Sequence, residues 1–284
     1  MKRSLSLFGL GIVAICAAAQ VRINYHDQDF TLSGFDKFSA TLEDKGITFN
    51  GSGNPLNIAI ESSGTTLTGS SADGNAQRGE NGAYFLQNAS VTGNAHLTTD
   101  GAAAQKYASE HGNKSTQTET TTTDIKSDTL KYAGTANNGR VDFPGAVTID
   151  STSNGQTGTR QIHLTGSSGF VTMALNAVGN NALQTGQING PVIYSGQGQS
   201  KAKDGQTQTT TYNGKSDNLS FDFTKEPRTL TMTGRVTLNS KGSGATGDIA
   251  ADTVVVTLDA NLKPTKIDIT GTPAKTTLHQ EPPR

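Results

Sequence analysis

Tryptophan is absent from these 284 residues and cysteine occurs once, at Cys16. One cysteine excludes an internal disulfide, and with it the clustered Cys/His spacings that mark zinc sites. No sign of charge dominates, since 23 basic side chains stand against 24 acidic ones. No polyanion-binding face is implied, and nucleic acid is not an expected partner. Hydrophobic residues make up 32% of the chain, with no long apolar run beyond the N-terminus. That is thin for a globular enzyme and suits a sheet with one wet face. The 33 glycines and many threonines point away from helix.

What is there begins with an export signal over residues 1–19. Lys2 and Arg3 form a basic start, Leu5 to Cys16 an apolar stretch, and Ala17 to Ala19 a small-residue cleavage site. The apolar stretch is short for spanning a bilayer. Bulky Ile15 before Cys16 argues against lipid attachment at that cysteine. The expectation is an exported, periplasmic protein, or an inner-membrane anchored one if the leader is retained.

The body of the chain repeats one strand-like line with a glycine in its middle. In RTLTMTGRVTL, Arg228 to Leu238, apolar residues alternate with threonine on both sides of Gly234. Period-two alternation places Leu230, Met232, Val236 and Leu238 on one face of a strand. Related lines surround Gly93 (89–97), Gly145 (141–149) and Gly190 (187–194). Between them recurs a second line with an aspartate read as a strand start: Asp128 in KSDTLKY, Asp217 in KSDNLSF and Asp252 in AADTVVV. Self-similarity of this kind predicts stacked strand repeats, and a glycine inside each strand predicts a sharp bend. The predicted fold is all-β: an open, twisted, jelly-roll or solenoid-like stack of antiparallel strands, V-shaped in section. The stack spans 20–279, weaker over 20–88 and clearer over 89–279. Two polar stretches, 101–123 and 196–211, read as long hairpin loops, partly disordered at their tips, whose threonine runs could extend the strands, and 280–284 as a disordered tail.

No catalytic residue, cofactor site or metal site is legible. His26, His96, His111, His163 and His279 are scattered without a second ligand at metal spacing. No Gly-x-Ser-x-Gly elbow, phosphate loop or dinucleotide fingerprint occurs. A polysaccharide-cleaving β-helix would need carboxylates gathered on one face. The obvious candidates, Asp128, Asp217 and Asp252, recur at equivalent repeat positions, which suits a structural duty better than a unique catalytic one.

The stretch from Leu230 to Gly271 resembles the OstA-like family of periplasmic lipopolysaccharide-transport proteins. The residues carrying the likeness are Met232 to Leu238 (MTGRVTL), Gly247 to Val256 (GDIAADTVVV) and Lys266 to Gly271 (KIDITG). The resemblance implies a non-enzymatic role: acyl chains held in an apolar groove, on a β-stack that bridges inner and outer membranes. It implies as partners lipopolysaccharide or a related glycolipid, the transport components of both membranes, and end-to-end copies of the chain itself. The candidate lipid-binding residues are the inward positions of the strand lines: Val91, Leu97, Phe143, Val147, Ile149, Ile188, Val192, Tyr194, Leu219, Phe221, Phe223, Leu230, Met232, Val236, Leu238, Val254, Val256, Leu258, Ile267 and Ile269. Each could equally be ordinary core. The alternative is a structural β-solenoid of the envelope or surface, carrying the same stack with no lipid.

Overall fold

The computed structural model describes residues 21–24, 29–43, 46–79, 84–112, 120–135, 137–155, 158–175, 183–201, 206–242, 245–259, 264–272 and 274–280. The leader 1–19 lies outside them. Seventeen strands form one antiparallel sheet system. In chain order they are β1 (Val21–Asn24), β2 (Asp29–Ser33), β3 (Lys37–Glu43), β4 (Gly46–Ile60), β5 (Thr65–Arg78), β6 (Tyr84–Asp100), β7 (Thr120–Gly134), β8 (Asn138–Phe143), β9 (Val147–Gly155), β10 (Gly158–Gly166), β11 (Ser168–Ala174), β12 (Leu183–Lys201), β13 (Thr207–Asp222), β14 (Arg228–Gly242), β15 (Ala245–Leu258), β16 (Pro264–Thr270) and β17 (Lys275–Gln280). A 3-10 turn, Glu61–Ser63, joins β4 to β5, and the single α-helix among the described residues, α1 (Gly101–Glu110), lies between β6 and β7.

The long strands are interrupted at one common level. Register shifts fall between Ser52 and Leu56 in β4, Thr92 and Ala95 in β6, Asn189 and Val192 in β12, and Thr233 and Val236 in β14. Gly93, Gly190 and Gly234 sit inside these bulges at φ 75°, 85° and 72°, a region that L side chains avoid. The predicted bends are therefore present. The aspartates are not strand starts: Asp128, Asp217 and Asp252 lie mid-strand in β7, β13 and β15, on the same bend line. A Cβ added at Gly93 would meet Ser70, at Gly190 Ser167, at Gly234 Asp217 and at Gly271 Asp252. Four hairpins thus set a serine or aspartate of one crossing against a glycine of the next.

Past the bend, each crossing continues into a second half, which we call its other arm. The first arm holds β3, β8, β11, β16 and the matching ends of the long strands; the second holds β2, β9, β10, β17 and the opposite ends. Inward side chains of both arms belong to one apolar cluster, from Phe30 to Val254. The arms also touch directly: Ser62 donates to the Leu175 carbonyl at 3.2 Å, and the Thr65 hydroxyl lies 3.9 Å from the Met173 sulfur.

The sheet is not the open stack expected from sequence. Pairings β7–β8, β8–β11, β11–β12, β12–β10, β10–β9 and β9–β7 close a six-stranded barrel, with further strands outside it. The physical reason lies at two broken crossings. Pro144 lacks an N–H for the ladder and separates β8 from β9, while Ser167 separates β10 from β11. Each fragment keeps both neighbours, so the pairings run full circle. The polar stretches also differ from expectation. Residues 101–110 are helical, capped by Asp100, whose carboxylate accepts the Ala102 and Ala103 amides. The threonine runs 120–123 and 207–211 do extend strands β7 and β13, as the sequence allowed, while residues 196–201 extend β12 and Gln280 closes β17 instead of starting a tail.

Candidate functional site

The strand registers line the inward side chains into rows that run across the sheet. On the first arm, Phe143, Gly169, Ile188, Leu219, Met232, Val254 and Ile269 are successive cross-strand partners. Outside them runs Val171, Gly186, Phe221, Leu230, Val256 and Ile267. On the second arm the row is Leu97, Ile125, Ile149, Leu164, Tyr194, Gly214, Leu238 and Ile249. Neighbouring strands are about 4.8 Å apart, so each row is a continuous apolar lane.

All twenty candidate residues fall on or beside these inner rows, but they do not share one environment. Val91, Leu97, Phe143, Val147, Ile188, Val192, Tyr194, Leu219, Met232, Val236, Val254 and Leu258 are buried. Ile149, Phe221, Leu230, Leu238, Val256 and Ile269 are partly buried against the core, Phe223 is half-buried, and Ile267 is exposed at 47%. The largest fully buried side chains all lie between Phe30 and Met173. On the first arm the outer row is only partly covered from Phe221 onward, and on the second Ile149, Leu238 and Ile249 are partly buried.

Aromatic rings seal the lanes where glycines leave gaps. A Cβ built on Gly186 would strike Phe221, on Gly196 Tyr212, on Gly214 Tyr194, on Gly139 Tyr132 and on Gly74 Phe49. Each ring covers a glycine on its own or a neighbouring strand, supplying the side-chain contact that glycine lacks. Tyr194 lies along the lane, and its hydroxyl donates to the Thr237 carbonyl at 3.0 Å, two strands away. Burial pushes the Tyr194 phenol up to about 12, so it stays a neutral donor at physiological pH. Phe221 and Phe223 stack at 4.7 Å between centroids, at the open part of the first arm.

Charge appears only at the margins of these lanes. Arg228 shares the inward parity of Leu230 and Met232, and its Nε lies 3.1 Å from the Glu226 carboxylate. Arg160 occupies the inward parity of Leu164 and is close enough to Tyr212 to influence its ionisation, although burial is the stronger effect and raises that phenol. Sequence reading missed Arg160, Arg228, Tyr212 and Ile249. Alternation from Ala251 would have found Ile249 and alternation from Leu230 Arg228; the others needed the register.

The three repeat aspartates do not gather. Asp217 pairs with Arg235 at 2.7 Å, and that partner holds its carboxyl below the usual range; Asp252 accepts the Thr272 amide at 3.1 Å. Asp128 lies six strands before Asp217 on the bend line. Among the described residues, no group of three His, Cys, Asp or Glu side chains is placed to hold a metal ion. Among those residues, too, no helix is long and apolar enough to cross a membrane. Comparison with protein-family models, with curated proteins and with solved structures finds no match for this chain, so the likeness to the OstA-like proteins stands on residues 230–271 alone.

Proposed function

We propose that this chain is an exported, non-enzymatic lipid carrier of the periplasm. It holds acyl chains of lipopolysaccharide or a related glycolipid against the inner rows of β13–β16 and exchanges them with transport components in the membranes. The observation that carries the reading is the change in burial away from the bend. The inner row stays enclosed through Ile188, Val192 and Val254, whereas farther from the bend Phe221, Leu230, Val256 and Ile267 leave apolar surface open on one arm and Leu238 and Ile249 on the other. Exposed apolar area on this scale is costly in water at about 25 cal/mol per Å², and a chain of methylenes is the simplest cover for a lane of aliphatic side chains.

A photo-crosslinking residue at Leu230 or Ile249, with outward Thr231 as control, tests this on incubation with lipopolysaccharide. Adducts at the two inner positions alone support the carrier. Equal labelling at all three, or none, removes it. The structural envelope reading would then stand, and the solid interior between Phe30 and Met173 favours that reading already.

A further inference from the structure

Three strands of the first arm, β3, β4 and β5, enclose a shallow cavity of about 430 Å³. Its floor is the cross-strand row Phe38, Gly51 and Ala72. The inner side of that row is already filled: Ala72 is buried, and a Cβ on Gly51 would strike the buried Phe35 ring. The cavity therefore opens on the outer face, where Lys37, Ser39, Asn50 and Asp73 are exposed. One wall is the row Lys37, Ser52 and Ser71, and the other is Ser39, Asn50 and Asp73. Both rows run on into β6, with Thr92 beside Ser71 and Ser90 beside Asp73. The result is a trough across the strands, about 10 Å long over the first three of them.

The walls are polar and their hydrogen-bonding capacity is unused. Among the described residues, the side chains of Lys37, Ser39, Asn50, Ser52 and Asp73 have no hydrogen-bonding or charged partner, whereas Ser71 shares a hydrogen bond of 2.6 Å with Thr92. Elsewhere on the outer faces charged side chains pair with one another, as Lys126 does with Asp124 and Asp150, and Arg140 with Asp142. Protein interfaces are poor in Ser, Lys and Asp and are anchored by aromatic rings, which neither wall supplies. Lys37 and Asp73 balance in charge, so the trough draws no polyanion or anionic membrane surface. An apolar small molecule meets no apolar side chain on the walls. A ligand dense in hydroxyls and free of charge fits what is left.

We propose that this trough is a glycan-binding site, taking an uncharged saccharide chain laid across β3 to β6. The Asn50 amide and the serines both donate and accept, Lys37 donates, and Asp73 accepts, so every face of a sugar hydroxyl finds a partner. The site lies on the opposite face of the sheet from the inner lanes and does not rest on the lipid-carrier reading.

Calorimetric titration of the full chain with two probes tests this: cello-oligosaccharides, whose rings carry hydroxyls alone, and chito-oligosaccharides, whose rings also carry acetamides. Saturable binding of at least one is expected, with Kd on the order of 1 mM or tighter. Asn50→Ala and Asp73→Ala should each weaken it about fivefold, as loss of one hydrogen bond does. Thr231→Ala, on the outer face away from the trough, should leave it unchanged. Both altered side chains are exposed and unpartnered, so unfolding midpoints should match the parent's. Should either variant misfold, Lys37→Ala at the far corner reads the same loss. Absence of binding by both probes overturns the proposal, and so does binding that survives the substitutions at full strength.

Discussion

Gly234 and Gly145 stand at equivalent bends, yet they should answer differently to a methyl group. Gly234 has φ 72°, and an added Cβ would lie 2.5 Å from the Asp217 carboxylate. Gly234→Ala should cost about 2 kcal/mol from backbone strain alone, read as a lower urea midpoint at unchanged slope. Gly145 has no positive φ, and an added Cβ would meet nothing within 4 Å. Gly145→Ala should be neutral or slightly stabilising, because it restricts only the unfolded chain. The sequence shows both glycines interrupting an alternating line, and the bend was legible from that. Their different backbones were not, because the φ at Gly234 follows from the bulge against β15, which is a non-local pairing. The rings lying over Gly186, Gly196 and Gly214 were hidden for the same reason: each partner is between 16 and 35 residues away, since Gly196 faces Tyr212 and Gly186 faces Phe221.

At the scale of elements, four adjacent strands share a ladder of charge on the outer face of the second arm. His96 of β6 lies 3.5 Å from Asp124 of β7, Lys126 of β7 lies 2.9 Å from Asp124 and 3.6 Å from Asp150 of β9, and His163 of β10 lies 2.7 Å from Asp150. The hydrogen bond from His163, with the nearby charges of His163 and Lys126, holds the Asp150 carboxyl below its usual value. A depressed carboxyl stabilises the fold above the ordinary carboxylate pKa of about 3.9 and loses that contribution as pH falls through the lower folded value. Asp150→Asn should therefore weaken the protein at pH 7 by less than about 1 kcal/mol, the exposed pair being screened by solvent. The difference from the parent should vanish near pH 2, as urea titrations at both values would show. Opposite charges on separate strands could be counted in the sequence, but only the register sets them side by side. The helical run 101–110 escaped the reading differently: its alanines carry helix propensity, and the polar stretch around them masked it.

Across the whole molecule, each strand touches mainly its sequence neighbours, so cohesion is nearly one-dimensional and follows the change in burial. Leu97, fully buried, should lose about 3 kcal/mol on truncation to alanine, whereas partly exposed Leu230 should lose about 1 kcal/mol. Amide hydrogen exchange should show protection highest over β5–β7 and lowest over β16 and β17, and uniform protection would contradict this account. The alternation in the sequence identified which side chains face inward on the strands it traced. It said nothing of how closely the arms approach, since Val91 and Leu230 look alike as aliphatic residues between polar neighbours. Their different exposure comes from what lies across the interior: Phe and Leu side chains and a touching turn in one half, an uncovered lane in the other.

The pairing of Ser70 with Gly93, Ser167 with Gly190, Asp217 with Gly234 and Asp252 with Gly271 gives four of the hairpins a corner of their own. A hairpin could be duplicated or deleted in evolution without disturbing the corners on either side. The change would lengthen or shorten the molecule by about 10 Å, two strand spacings, while leaving the strands at its two ends as they are. Length in such an architecture is a heritable variable, free to drift or be selected independently of what the two ends do.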